Sequence, residues 1–205
     1  NTDVVIIGAG LSGLAAAKKF INTKYKVLLI EQDSYLGGVL KNSNKVKTIN
    51  GLTPQEWISE TEELMLNSKN ITILKNTLVT TYNFTNHLIA LEDKFAGKKI
   101  DLNKSELTLH KIRTSNTIIA NGHIERFISF RNNDLPGVML ASSFEKYIHR
   151  YGVVPEKEPV IFTNNSSSLS LLKKLISLGC KPKAYVDSRK KDNIETEVKK
   201  ILKDE

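Results

Sequence analysis

The 205 residues include a single cysteine, Cys180. That excludes an internal disulfide and a redox CxxC pair, and it makes a reducing, cytoplasmic compartment the expectation. Cys180 follows Gly179 after an apolar helical stretch and reads as a small buried hydrophobe rather than a nucleophile. Aromatic residues are scarce, at 7% of the chain, and do not alternate with basic ones. The stacking pattern of a single-stranded nucleic-acid binder is therefore missing, and no nucleic-acid partner is expected despite a net charge of +8. The lysines are scattered and interleaved with acids, as in Glu195 to Glu205, in a chain generally rich in Lys, Asn and Ile. None of His87, His110 and His149 stands at metal-ligand spacing from an acid, a cysteine or another histidine, so no metal site is expected. The longest apolar stretch is interrupted by glycines, so neither a membrane span nor a signal segment is read. A hydrophobic content of 40% is enough for one sizeable core, or one core and part of another.

What is present is concentrated at the start. Asp3-Val4-Val5-Ile6-Ile7 runs into Gly8-Ala9-Gly10-Leu11-Ser12-Gly13-Leu14, and Lys26-Val27-Leu28-Leu29-Ile30 ends at Glu31. The order is strand (3–7), glycine turn, helix (11–22), strand (26–30), acid, which is the arrangement that grips the ADP half of a dinucleotide. The β-branched run suits a parallel strand buried on both faces. Gly8 permits the tight turn, Gly10 lets the pyrophosphate approach the backbone, and Gly13 lets the helix pack closely on the sheet. The helix N-terminus offers free N–H groups and partial positive charge to the phosphates. Glu31 stands where a carboxylate accepts bonds from both ribose hydroxyls. Gln32 and Asp33 follow it instead of Arg or Lys, which disfavours the 2′-phosphate of NADP.

Further along, Gly37-Gly38 is placed to let the chain pass under the dinucleotide. Thr53-Pro54-Gln55-Glu56 predicts a helix start with a capping box. That helix extends to about residue 67 with Trp57 on its apolar face. Ile71 to Leu74 reads as a third parallel strand. Leu78 to Phe84, His87 to Glu92 and Leu107 to Arg113 read as a three-stranded antiparallel meander (about 77–113), separated by the turn-like Asn83 to Asn86 and Ala96 to Lys99. Ser115 to Ala120 is a buried strand ending in Asn121-Gly122, where flavoprotein folds bring backbone near the dinucleotide. His123 could then face the nucleotide. After a helix at Ser142 to Tyr151, a second strand–helix–strand unit is predicted: Pro159 to Thr163, Ser167 to Leu178, and Lys183 to Val186 ending at Asp187. Its turn, Asn164 to Ser168, has no glycine fingerprint, so a second tight dinucleotide site is not expected.

Two blocks are more distinctive than the fingerprint. One is Gly122-His123-Ile124-Glu125-Arg126 with Asn132-Asn133-Asp134-Leu135-Pro136-Gly137-Val138-Met139-Leu140-Ala141-Ser142. The other is Arg150-Tyr151-Gly152-Val153 with Val160 to Asn165 and Tyr185 to Arg189. Together they resemble the α subunit of heterotetrameric sarcosine oxidase, to which opine and amino-acid dehydrogenase and hydrogen cyanide synthase subunits are related. The resemblance implies an α/β, FAD/NAD(P)-binding Rossmann-like three-layer fold with the meander, plus the start of a second nucleotide-type βαβ unit. It implies NAD as the cofactor, with FAD the alternative, and other subunits of a hetero-oligomeric oxidase as partners. The complex would convert sarcosine to glycine, formaldehyde and hydrogen peroxide, with amine oxidation at a flavin in another subunit and no catalytic residue in this chain. By position, the nucleotide contacts would be Gly8, Gly10, Leu11, Ser12, Gly13, Glu31, Gln32, Gly38, Asn121 and Gly122, with Val79 meeting the adenine through its backbone. The family's Asp after Asn164-Asn165 is replaced here by Ser166.

Three alternatives remain at this stage. A pyridine-nucleotide:disulfide-type reductase would need the missing dithiol and a second glycine fingerprint. An opine or amino-acid dehydrogenase subunit fits the same residues. A nucleotide-bound structural module fits the lack of an acid–base set. The expected division is residues 1–150 as the dinucleotide-binding domain and 151–205 as an incomplete second βαβ unit, with the chain a segment of a longer polypeptide.

Overall fold

The computed structural model describes residues 1–41, 46–83, 85–94, 107–155, 158–190, 192, 194 and 201. Among them the chain forms two compact units, the first ending at His123 and the second starting at Ile124.

The first unit holds β1 (Thr2–Ile7), α1 (Leu11–Lys18), β2 (Val27–Ile30), α2 (Pro54–Leu66), β3 (Ile71–Leu74), β4 (Thr77–Asn83), β5 (His87–Asp93) and β6 (Leu107–Ile119). One six-stranded sheet runs in the order β3-β2-β1-β6-β5-β4. Its first half is parallel and its second half antiparallel. The pleat alternates which face each side chain joins. Val4, Ile6, Val27 and Leu29 enter a core with Leu14 and Ala17 of α1 and Trp57, Ile58 and Met65 of α2. Val5 and Ile30 face the other way and meet Leu88, Ala90 and Ile112 of the meander. The parallel strands are thus covered on both faces, helices on one and meander on the other, which makes the expected three layers. Ile6, Leu14, Leu29 and Met65 are fully buried, and each contributes about 1.5–3 kcal/mol through removal from water.

In the first unit two elements differ from the sequence expectation. The runs Leu107 to Arg113 and Ser115 to Ala120 merge into one 13-residue strand, β6, which ends at Ile119. Its first part pairs with β5, from Leu107↔Asp93 to Arg113↔His87, and its second with β1, from Thr114↔Thr2 to Ile119↔Ile7. Ser115 and Asn116 look like a break, but buried Thr114 carries the strand through: its hydroxyl donates to the Asn116 carbonyl at 2.8 Å. Helix α1 stops at Lys18, although the sequence pattern continues to residue 22. Beyond it the N–H groups of Lys19 and Phe20 bond carbonyls three residues back, and Asn22 turns the chain out with φ +58°.

Helix α2 starts as the capping box requires. The Glu56 N–H donates to Thr53 Oγ1 at 3.3 Å, and the Thr53 N–H donates to Glu56 Oε2 at 2.8 Å. The predicted turn at Ala96 to Lys99 and the acid–lysine stretch at Glu195 to Glu205 lie outside the described residues, apart from Ile201.

In the second unit, α3 (Ala141–Tyr151), β7 (Val160–Thr163), α4 (Leu169–Ser177) and β8 (Ala184–Asp187) surround a small core of Ile148, Ile161, Leu171, Leu172 and Leu175. β7 and β8 are parallel. The expected division at residue 150 leaves α3 with the first unit, whereas Ile148 lies in the core of the second, and Ser170 of α4 hydrogen-bonds Glu145 of α3. Helix α4 begins two residues later than predicted, because Ser166–Ser168 form a 3₁₀ turn in which the Asn165 side chain accepts from the Ser167 N–H at 2.8 Å. Among the described residues no helix is long and apolar enough to cross a membrane.

Candidate functional site

The site begins where β1 ends. Gly8 turns the chain with φ +95°, and its N–H donates to the Ile30 carbonyl at 2.8 Å. A Cβ at Gly8 would lie 2.5 Å from the Ala120 carbonyl oxygen and 3.1 Å from Asn121 Cα. The strand end of β6 is therefore pressed directly against the turn. A Cβ at Gly13 would lie 1.8 Å from the Gly8 carbonyl oxygen, which is the close contact that lets α1 leave the turn at this angle.

Gly10 is different. Nothing lies within 4 Å of where its Cβ would be. It is the N-cap of α1, it provides no side-chain cap, and the first turn holds no acidic residue. The N–H groups of Leu11, Ser12 and Gly13 belong to the helix end that intrahelical bonding leaves without partners, while the Leu11 and Ser12 side chains are exposed. An open backbone surface with outward N–H groups and positive helix-end potential suits an anionic pyrophosphate.

Glu31 sits buried at the end of β2, 7% exposed. Its Oε2 accepts from the Ala9 N–H at 2.7 Å and its Oε1 from the Asp33 N–H at 2.9 Å. These bonds fix the carboxylate beneath the glycine turn. Each oxygen keeps further acceptor capacity, which is what a ribose diol needs. Gly37 closes the loop from the other side, its N–H donating to the Ala9 carbonyl at 2.8 Å. Next to it, a Cβ on Gly38 would lie 3.2 Å from Gly10 Cα.

The structure thus brings Gly8, Gly10, Leu11, Ser12, Gly13, Glu31, Gly38 and Asn121 around one turn. Gln32 follows Glu31 and is exposed, and Gly122 follows Asn121 with φ +71°. The Val79 side chain is partly buried against the core beside β5. His123 is exposed. Sequence reasoning gave no role to Ala9 or Ala120, and gave Gly37 one only as half of the Gly37-Gly38 pair. Ala9 is fully buried and links Glu31 to Gly37, and its place between two glycines was the available signal. A Cβ on Gly37 would meet Ile58 Cδ1 at 2.4 Å, a long-range contact with no local sequence signature. Among the described residues no group of three His, Cys, Asp or Glu could hold a metal ion.

The second unit ends its second strand on an acid too, Asp187, but that acid is already engaged. Arg189 donates to it through Nε at 3.0 Å and through a terminal nitrogen at 2.7 Å, and the Arg189 N–H adds a bond at 2.9 Å. The same guanidinium reaches Ser166 Oγ at 3.2 Å. Hydrogen bonding to Arg189 holds the Asp187 carboxyl below the usual carboxylate range. A lowered folded-state value contributes stability above the unfolded value, about 3.9, and that stability is lost as pH falls through the folded value. Arg189→Met is therefore expected to destabilise the second unit by about 1–3 kcal/mol at pH 7. It is also expected to flatten the acid limb of its stability below about pH 4. Urea unfolding at pH 7 and at pH 3 checks both.

Residues 6–53 match the family described as NAD(P)-binding Rossmann-like domain. The chain is similar to sarcosine oxidase subunit alpha of Rhizobium meliloti, 32% identical over 92% of this chain, and of Corynebacterium sp. strain U-96, 30% identical over 87%. It spans 19% of the length of each of these relatives. Among solved structures it is similar to L-proline dehydrogenase from P. horikoshii, with a TM-score of 0.65 and 22% identity over 91% of this chain and 35% of that one. It is also similar to Lactococcus lactis thioredoxin reductase, with a TM-score of 0.62 and 16% identity over 100% of this chain and 62% of that one. At these identities the two structures establish the fold alone, an α/β FAD/NAD(P)-binding Rossmann-like one.

Proposed function

From a chain that carries an NAD(P)-binding Rossmann domain and is homologous over most of its length to about one-fifth of the sarcosine oxidase α subunit, we propose a dinucleotide-binding region of a multi-subunit, sarcosine oxidase-like oxidoreductase, with NAD as its ligand. The observation that carries the reading is the open Gly10 at an uncapped helix end, with the fixed Glu31 carboxylate below it. Gly8, Gly10, Gly38 and the first turn of α1 would hold the pyrophosphate, and Glu31 the adenosine ribose. Asn121, Gly122 and the Val79 backbone are the remaining proposed contacts. When bound, the dinucleotide supplies a hydride-accepting ring; this chain's residues anchor the other end of the molecule. Glu31 and the neighbouring Asp33 repel a 2′-phosphate, which favours NAD over NADP. In the assembled complex, sarcosine, water and oxygen would give glycine, formaldehyde and hydrogen peroxide, with the amine oxidised in another subunit.

Calorimetric titration of the purified chain with NAD, NADP and FAD tests this. NAD is expected to bind one per chain, and NADP at least about tenfold more weakly, a difference near 1.4 kcal/mol. A yellow preparation that binds FAD and not NAD would replace NAD by FAD in the site. Binding of none of the three overturns the dinucleotide reading.

A further inference from the structure

The outer face of the meander carries a ladder of leucines. In the register of β4, β5 and β6, Leu78 stands opposite Leu91, and Leu91 opposite Leu109. One step along, Ile89 stands opposite Lys111, and one further, His87 stands opposite Arg113. Opposed residues of an antiparallel pair point to the same side. This side is turned away from the core, because the alternate residues Leu88, Ala90 and Ile112 fill it. Leu78 and Leu109 are 51% and 56% exposed, and Lys111 and Arg113 are exposed beside them. A row of leucines across three strands, with two cations at one end and Asp93 opposite Leu107 at the other, is the composition of an interface centre and its rim rather than of a solvated sheet face.

We propose that this face docks an acidic protein subunit, with Leu78, Leu91 and Leu109 buried at the centre and Lys111 and Arg113 paired with carboxylates at the rim. The proposal rests on the reading of the chain as part of a multi-subunit oxidoreductase. Charge selects the occupant. A second copy would bring another chain of net charge +8, whereas a net-negative surface complements Lys111 and Arg113 and is steered toward them.

The test uses the whole 205-residue chain, tagged in its source cells and purified with its stoichiometric partner. That partner is then identified, purified and titrated back. The expected partner is net negative. L91D/L109D is expected to weaken its binding more than about 100-fold, because a central apolar anchor is replaced by desolvated charge. K111E/R113E is expected to weaken it about tenfold and to remove most of its salt dependence, as rim charges do. Both residues of the second pair are exposed, so that variant decides the matter if the first fails to fold. Wild-type affinity in K111E/R113E, a net-positive partner, or a homodimer that L91D/L109D dissociates overturns the proposal. Dinucleotide affinity, measured in parallel, is expected to be unchanged in both variants. Loss of docking with dinucleotide binding intact separates this surface from the nucleotide reading.

Discussion

Gly10→Val is expected to weaken dinucleotide binding at least about 100-fold, close to 2.7 kcal/mol, while the fold stays intact. The two halves of this result have separate causes. The new side chain enters the space above the turn, where nothing of the protein lies within 4 Å of the Cβ position. Its Cβ meets no neighbour there, and φ of −73° is ordinary for any residue. The cost to the protein is the poorer N-cap, up to about 1 kcal/mol. The cost to the ligand is the loss of backbone contact over the N–H groups of the helix end. Calorimetry with NAD and FAD, beside a thermal melt without ligand, reads both quantities. A variant that binds either dinucleotide as the wild type does would remove the pyrophosphate from this turn.

Gly13→Ala is expected to have the opposite profile, although it adds only one methyl group three residues away. The added carbon would lie 1.8 Å from the Gly8 carbonyl oxygen. Neither atom can be relieved by a rotamer change, because the oxygen belongs to the backbone of a turn that is itself pressed against Ala120. Either α1 moves off the sheet or the turn opens, and the contacts of Leu14 and Ala17 with Val4, Ile6 and Met65 are strained with it. The destabilisation is expected to exceed about 4 kcal/mol, the range reserved for overpacking that side chains cannot absorb. A domain of marginal stability would be largely unfolded by it. Urea denaturation followed by circular dichroism checks this. Near-wild-type stability would mean that α1 does not pack on the turn as described.

Much of the site was legible in the sequence because its requirements are local. A glycine that must be open, a glycine that must be tight and an acid at a strand end leave their marks within 31 residues, and the capping box of α2 does so within four. What the sequence did not show depends on partners far along the chain. The Ala120 carbonyl that makes Gly8 obligatory is more than a hundred residues away. Gly37 is required by Ile58 and tied to Ala9. Asp187 has the position of a ribose-binding acid, and only the fold of Arg189 back onto it, with the reach to Ser166, shows that it serves an internal ion pair. The end of α1 and the continuity of β6 were misread for a related reason. In both, local propensity was overruled: at Asn22 by the need to turn, and at Thr114 to Asn116 by pairing partners on β1.

The continuity of β6 has a consequence for how the chain can vary in length. Its first half is phased by β5 and its second by β1, with no loop between them to take up slack. Side chains alternate faces with a period of two, so one inserted or deleted residue near Thr114 would turn one half of the strand inside out relative to the other. Ile112 would leave the meander core, or the outward leucines would enter it. A change of two residues preserves the alternation. Length variation in this strand should therefore obey a parity rule, with even changes tolerated and odd ones rejected.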